Sequence, residues 1–342
     1  MVTSNQGQTE AAPSPAPAGR RLAVDLLLFS LPLLLAWGGL EWFASRIPNV
    51  YSVKRKQLEG LSKQVDTLIL GSSSGYYGIA PDQLSGSAYN LANFAQTLYY
   101  DDALAERVLN QLPKLRRVIV CVHYISLFCQ LEEAAPERQY YYWHEWNLWP
   151  RRWRDNWDVR MGSAIALRSP EITVKELQTA AHRVARGGDW QRPYEDPEID
   201  ARGWGRSLEP APPSPDLSEA AAKHALRIHH RLMHWRNEEP NLACFRRLLQ
   251  RLSDRGIEPV LVVPPFWKTY IAEMDPAYWQ ETDTQLKSLA RQYHARYLCY
   301  RDAPGFFPTD FVDLQHLSAP GAIRFSRLLN EALGSCPDRS PF

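Results

Sequence analysis

Short, wholly apolar runs recur along this chain of 342 residues, and stretches of helical periodicity separate them. The clearest runs are Thr67 to Leu70, Val118 to Val122 and Pro259 to Val263. A strand that is apolar along its whole length is typical of a parallel sheet with helices on both faces. The intervening stretches Asp101 to Leu112 and Asn241 to Arg255 have the spacing of amphipathic helices. The sequence therefore predicts a doubly wound, three-layer α/β/α domain that binds ligands at the carboxyl ends of its strands.

A long segment rich in Trp and Tyr interrupts this alternation. It begins near Phe128, ends near Pro240 and contains the run Tyr140 to Trp146. We therefore expect the α/β domain to consist of residues 65–127 and 241–336. Residues 128–240 are expected to form an insertion at the edge of its sheet.

The N-terminal region predicts a membrane anchor. Residues 1–21 are rich in Ala, Pro and Ser and are expected to form a disordered tail. Residues 22–45 are largely apolar, and about 20 such residues span the hydrocarbon core of a bilayer. Residues 46–64 are polar and basic and predict a stalk. The alternatives are a buried soluble helix and a cleaved signal peptide, although no clean A-x-A cleavage site follows.

The basic residues on the two sides of this helix favour opposite orientations in the membrane. Arg20 and Arg21 favour a cytoplasmic N-terminus, whereas Arg46 and the basic run Lys54 to Lys56 oppose it. We expect a single-pass protein of the inner (cytoplasmic) membrane with its main domain in the periplasm or outside the cell. The chemistry described below suits an extracytoplasmic domain.

Charge and cysteine usage argue against several classes of function. The formal net charge of +1 predicts no strong electrostatic field, so nucleic acid is not an expected partner. The five cysteines include no C-x-x-C pair, which argues against a zinc ribbon. His230 and His234 have the spacing of a zinc pair, but no third ligand accompanies them, so we expect a solvated or interface helix there. No phosphate-binding loop or dinucleotide fingerprint is present, and we expect neither a metal nor a cofactor.

Two short segments indicate a serine nucleophile with a histidine base. Gly71 and three serines follow the first apolar run, which places a serine at the carboxyl end of a strand. Asp313 and His316 lie near the C-terminus, with a spacing that lets the carboxylate orient the imidazole. Each segment alone is compatible with ordinary turn and capping roles. Together, on this fold, they predict a Ser-His-Asp triad.

Four blocks of the sequence resemble the SGNH hydrolase superfamily, also called GDSL-type esterases. They are Leu68 to Tyr77, Tyr89 to Asn93, Gly256 to Pro265 and Asp313 to Phe325. The likeness is greatest to the membrane-anchored branch that includes the D-alanyl-lipoteichoic acid esterification protein and the alginate-type O-acetyltransferases. It leaves out the N-terminus and the insertion.

The resemblance implies roles for individual residues. Ser73 becomes the nucleophile, His316 the base and Asp313 the group that orients it. The common Gly-Asp-Ser is Gly-Ser-Ser here, as it is in anchored relatives. The family block Gly-x-Asn-Asp is absent, and His123 to Ser126 stands in its place. Its oxyanion asparagine therefore has no direct counterpart, and a weakened or inactive site stays open.

The second block also departs from the family pattern. Its usual glycine is missing near Ala92, whose backbone N–H is still a candidate oxyanion donor. We assign the role of the missing oxyanion asparagine to Asn93. The alternative is that Asn93 is an ordinary turn residue. 

Aromatic residues of the insertion predict a binding surface for sugar rings. The candidates are Tyr142, Trp143, Trp146 and Trp149, with arginines nearby that suit an anionic glycan. The alternatives are a hydrophobic core for the insertion and a contact with the membrane interface.

These features and the resemblance imply a membrane-anchored O-acyltransferase or esterase that acts on a cell-surface or secreted polysaccharide. The anchored relatives imply transfer rather than hydrolysis. They also imply a partner, either a membrane-bound O-acyltransferase or a polysaccharide synthase. The alternative is a catalytically degenerate scaffold or glycan-binding subunit of a polysaccharide synthesis or modification complex.

Overall fold

The computed structural model of the chain describes residues 18–168, 170–188, 199–205 and 215–334. Most of the predicted N-terminal tail and the last residues of the predicted α/β domain lie outside these ranges. The chain divides into two compact units. The first consists of Met1–Ile47 and Ser163–Gln191, and the second of Pro48–Gly162 and Arg192–Phe342.

The second unit is built on a parallel sheet of five strands in the order β2-β1-β3-β4-β5. The strands are β1 Thr67–Gly71, β2 Ala88–Asn90, β3 Arg117–Cys121, β4 Glu258–Val263 and β5 Arg296–Cys299. The order reverses direction between β1 and β3, and such a switch point opens a crevice at the carboxyl ends of the two strands.

Helices of the second unit cover both faces of this sheet. Within the described residues the helices of the chain are α1 Ala18–Arg46, α2 Val50–Leu61, α3 Ser73–Gly78, α4 Leu98–Val108, α5 Leu131–Ala134, α6 Arg138–Trp146, α7 Ala164–Arg168, α8 Pro170–Ala185, α9 Glu219–Leu232, α10 Glu238–Ser253, α11 Lys268–Glu273, α12 Pro276–Gln292 and α13 Ala319–Gly334. Of these, α1, α7 and α8 belong to the first unit.

Alternate residues of the central strands enter two separate cores. Leu68 and Leu70 lie in a core that also contains residues of α4 and α10. Ile69 points the other way, into a core that contains Phe325 and Leu329 of α13. Because both faces are buried, the strand is apolar from Leu68 to Leu70 and shows no alternation in its sequence. The predicted three-layer α/β/α architecture is confirmed.

Described residues of the aromatic segment predicted as an insertion share the core of the sheet. Tyr142 and Trp146 of α6 lie in the same core as the central strands, together with Leu226 of α9. Residues 163–191 belong instead to the unit that contains α1.

In the first unit, α1 includes an apolar stretch from Arg21 to Arg46 that is long and apolar enough to cross a membrane, and none of the residues in its most apolar 18-residue window is buried. An N-terminal signal sequence has the same properties. Glu41, close to the end of α1, accepts hydrogen bonds from the Ser163 hydroxyl and from the backbone N–H of Ala164, the latter at 2.8 Å. The carboxylate thereby caps the first turn of α7, whose N–H groups have no partner within the helix.

Candidate active site

Ser73, His316 and Asp313 form a hydrogen-bonded row at the carboxyl edge of the sheet. Ser73 Oγ lies 2.8 Å from His316 Nε2, and His316 Nδ1 lies 2.8 Å from Asp313 Oδ2. A proton on Nδ1 donates to the carboxylate, which leaves Nε2 to accept the serine hydroxyl proton. The structure therefore brings together the three residues that the sequence proposes as a triad, in the order that nucleophilic attack requires.

Gly71 makes the turn that exposes Ser73 possible. It is the last residue of β1 and has a φ of +125°, a conformation that side chains disfavour. A Cβ at this position would also clash with the carbonyl oxygen of Cys121 on β3. The chain then passes through Ser72 and begins α3 at Ser73, so the nucleophile stands at the junction of strand and helix.

The carboxylate of Asp313 is held by its own loop. Its Oδ1 accepts hydrogen bonds from the backbone N–H groups of Gln315 and His316, both at 2.8 Å. Partial burial raises the pKa of Asp313, but the hydrogen bond and charge of His316 and the two backbone N–H groups outweigh it, so the pKa lies below its usual value. The carboxylate therefore stays charged and opposite the imidazole across the neutral pH range.

A cluster of polar side chains lies beside this row, and the sequence did not predict it. His229 Nδ1 on α9 lies 2.6 Å from the Tyr270 hydroxyl, and Gln315 contacts both side chains at 3.4 Å. The pKa of His229 is lowered to about 4, mainly by burial and then by the charge of His316. His229 is therefore neutral at physiological pH.

We expected the helix that carries His229 to be a solvated or interface helix. One sequence signal could have revealed its inward position, because Ala222, Leu226 and Met233 are buried and His229 shares their face at helical spacing.

No group of three or more His, Cys, Asp or Glu side chains suited to a metal ion occurs within the described ranges.

Of the two residues proposed as oxyanion donors, one has its N–H group engaged within the protein and the other has a donor that no described residue engages. The Ala92 N–H donates to Asn90 Oδ1 at 3.1 Å, so the prediction that it faces a substrate needs correction. Asn93 is buried, and its backbone N–H donates to the Gly71 carbonyl at 3.1 Å. Its Oδ1 accepts from the Phe94 N–H at 2.8 Å, while its Nδ2 has no partner among the described residues. Asn93 thus keeps a donor beside the nucleophile turn.

A buried lysine supports the loop that carries Asn93. Lys54 of α2 donates to the carbonyl oxygens of Asn90, at 3.1 Å, and of Ala92, and its ammonium lies 4.3 Å from the centre of the Tyr76 ring. Burial lowers the pKa of Lys54 well below its usual value, with Asp200 opposing the shift. The predicted stalk therefore contains a helix that packs against the loop after β2.

The aromatic residues predicted to bind sugars fall into two groups. Tyr142 and Trp146 are buried, and the Tyr142 hydroxyl donates to Gln96 Oε1 at 2.7 Å. These two are core residues, so the prediction that they stack on sugar rings needs correction. Trp143 is half-buried and lies 4.2 Å, centre to centre, from the exposed ring of Trp149. Of the four predicted residues, only this second pair presents an aromatic surface to solvent.

No family model matches the chain, and no curated protein matches it either. Among solved structures it is similar to a protein of Streptococcus pneumonia provisionally described as a platelet activating factor. The two chains are 10% identical and superpose with a TM-score of 0.39, over 91% of this chain and 99% of the other. A likeness of this degree says nothing about the activity, so the function has to be inferred from the site itself.

Proposed function

We propose that the protein is a membrane-anchored, serine-dependent O-acyltransferase or esterase that acts on a polysaccharide. The observation that carries the proposal is the row of hydrogen bonds from Ser73 through His316 to Asp313. A hydroxyl, an imidazole and a carboxylate in this order are the parts needed to activate a serine.

In this mechanism Ser73 Oγ attacks the carbonyl carbon of an acyl donor while its proton passes to His316 Nε2. The leaving alkoxide takes that proton, and an acyl-enzyme ester remains on Ser73. A sugar hydroxyl, or water, then gives its proton to His316 and attacks the ester. The bond from the acyl carbon to Ser73 Oγ breaks, Ser73 takes the proton back from His316, and the acylated sugar or free acid is released. Asp313 holds the imidazole in the required tautomer and stabilises its positive charge in both steps.

The assignment to a polysaccharide is supported by exposed aromatic and basic side chains. Trp149, Trp153 and Trp157 are 53%, 68% and 84% exposed. Between them in the sequence lie the half-buried Arg151 and the exposed Arg152 and Arg154. Flat apolar rings suit the faces of sugars, and guanidinium groups suit anionic ones. The apolar helix α1 supports a place at the inner membrane, and a membrane-bound O-acyltransferase or polysaccharide synthase beside it belongs to the same proposal.

Labelling with a fluorophosphonate tests the proposal, because this reagent forms a bond only with an activated serine. We expect the full-length protein in detergent to label, Ser73→Ala to be unlabelled, and Ser72→Ala to label as the wild type does. Ser72 is the matched control because its side chain makes no capping hydrogen bond. Labelling that persists in a folded Ser73→Ala variant would refute the assignment.

One observation favours the alternative of a non-catalytic, glycan-binding subunit. The Ala92 N–H is already engaged by Asn90, so the site lacks one of the oxyanion donors expected from the sequence. On that alternative, well-folded protein does not label at any serine yet still binds an anionic polysaccharide. The labelling experiment therefore separates the two functions.

A further inference from the structure

His123 follows β3 in the same way that Ser73 follows β1. Gly71 and Cys121 are paired in the register of these two parallel strands, and each of the two residues lies two positions beyond that pair. A Cβ at Gly75 would come within 2.9 Å of the Cys121 side chain, so the first turn of α3 lies against the end of β3. Ser73 and His123 therefore leave neighbouring strands at one edge of the sheet.

The imidazole of His123 is fixed in a buried pocket. It is 3% exposed, and its ring centre lies 4.6 Å from that of Phe266 and 5.9 Å from that of His229. Its backbone N–H donates to Ser126 Oγ at 3.0 Å. Through His229 and Gln315, which are in contact, the pocket adjoins the Asp313–His316 loop.

The two ring nitrogens of His123 have different surroundings. Nδ1 accepts a hydrogen bond of 3.3 Å from the Ile125 N–H, which places the proton of the neutral ring on Nε2. No polar atom of the described residues makes a hydrogen bond with the buried Nε2, although the Gln315 side chain is close enough to oppose the lowering of the His123 pKa that burial causes. Buried donors without partners are rare in proteins, and at a functional site such a group indicates a position where a ligand accepts a hydrogen bond.

The surroundings of His123 also keep its ring uncharged. Its pKa lies well below the usual value, first because of burial and then because of the charges of His229 and His316, with Gln315 and Asp313 opposing the shift. A ring that does not take up a proton is unsuited to serve as a second base. It is suited to donate its one N–H group.

From the orphaned, buried Nε2–H beside the nucleophile turn, we infer that His123 is a further catalytic residue that donates a hydrogen bond to the substrate's acyl oxygen. This inference rests on the proposed function. As Ser73 Oγ forms its bond to the carbonyl carbon, the π electrons of the C=O bond move onto the oxygen, and His123 Nε2–H donates to that oxyanion. When the tetrahedral intermediate collapses, the electron pair returns, the leaving alkoxide departs with the proton from His316, and His123 keeps its own proton.

This role explains why the donor has no partner in the protein alone. A donor that is satisfied only when negative charge develops on the acyl oxygen stabilises the transition state more than the ground state. Together with Asn93 Nδ2, it would supply two donors in place of the Ala92 N–H.

The test compares His123→Leu, which removes the donor, with His123→Gln, whose amide supplies an N–H group. We expect His123→Leu to lower kcat/KM for p-nitrophenyl acetate by about 10²- to 10³-fold, the usual effect of losing one oxyanion donor. Inhibition by a short-chain trifluoromethyl ketone, which forms an oxyanion on Ser73, should weaken by a similar factor. His123→Gln should recover part of both losses, and thermal unfolding should show that each variant is folded.

The matched control is His230→Gln on α9, because His230 is exposed and lies against Tyr278. It should leave both measurements unchanged. If the activity of His123→Leu stays within threefold of that of the wild type, the inference about His123 is wrong. The proposed function is judged separately, and it stands as long as the wild type shows Ser73-dependent labelling. A loss of kcat/KM without loss of ketone affinity would also overturn the inference about His123, since His123 would then act only by positioning Gln315. Absence of Ser73-dependent labelling in the wild type overturns both.

Discussion

The carboxylate of Asp101 accepts a hydrogen bond of 3.0 Å from the backbone N–H of Gly71, so a side chain of α4 holds the residue from which the chain turns toward Ser73. The same Oδ1 atom accepts a bond of 2.6 Å from Gln96 Nε2. Gln96 in turn accepts from the buried Tyr142 hydroxyl. A line of hydrogen bonds thus connects the core of the aromatic segment to the nucleophile turn.

Asp101 makes the stability of the protein depend on pH. Burial is the main cause that raises its pKa to about 7, so the folded state favours the protonated carboxyl. Its contribution to stability is therefore complete below the usual carboxyl pKa of about 4 and is lost as the pH rises through 7. Asp101→Asn keeps an oxygen for both hydrogen bonds to Oδ1 and does not titrate.

We expect the free energy of unfolding of the wild type to fall, relative to that of Asp101→Asn, between pH 5 and pH 8. Urea unfolding in detergent at several pH values measures it. The exposed Asp254→Asn is the control and should follow the wild type. Parallel pH profiles for the wild type and Asp101→Asn would contradict the prediction.

Replacing Asp313 by Asn should remove most activity without unfolding the protein. The amide oxygen of Asn is needed by the backbone N–H groups of Gln315 and His316, so its NH2 group faces His316 Nδ1 and donates to it. The imidazole then carries its proton on Nε2, which cannot accept the proton of Ser73. By analogy with serine hydrolases, turnover of p-nitrophenyl acetate should fall about 10³- to 10⁴-fold. A folded Asp313→Asn variant with turnover near that of the wild type would show that Asp313 has no part in the reaction.

Lys54 and Lys56 lie on the same helix, but substitution by Ala should destabilise the protein strongly at Lys54 and hardly at all at Lys56. Lys54→Ala leaves the carbonyl groups of Asn90 and Ala92 unpaired and opens a cavity, which should destabilise the protein by roughly 2–5 kcal/mol. Lys56 is exposed, so Lys56→Ala should change stability by no more than about 0.5 kcal/mol. Chemical unfolding measures both, and equal effects would show that the buried ammonium does not support this loop.

The tryptophans of the aromatic segment should separate into structural and binding residues. Trp146→Ala should destabilise the protein by about 3–5 kcal/mol because the ring is buried. Trp149→Ala and Trp157→Ala should leave the unfolding midpoint almost unchanged and weaken binding of an anionic polysaccharide such as alginate. Calorimetric titration checks the binding, and unchanged affinity in both variants would remove the support for a polysaccharide surface.

The sequence predicted the sheet from local patterns, whereas the row Ser73–His316–Asp313 required two distant patterns taken together and a family resemblance that selected Ser73 among three serines. A strand buried on both faces is apolar at every position, and the turn after it shows in Gly71. The role of His229 depends on which face of α9 is buried, and that of Lys54 on a contact with a loop 36 residues away. The prediction for Tyr142 and Trp146 was wrong for the same reason: it depended on tertiary contacts. A cluster of aromatic residues has the same sequence pattern whether its rings pack in the core or face solvent.

The bond between Glu41 and the start of α7 bears on how this protein can be prepared and processed. A fragment that begins after residue 47 lacks the only carboxylate seen to cap Ser163, Ala164 and Ile165 among the described residues. Proteolytic cleavage at that point would do the same to the native chain. A shortened form would therefore lose more than the helix α1, because the first N–H groups of α7 would lose the carboxylate that accepts their hydrogen bonds.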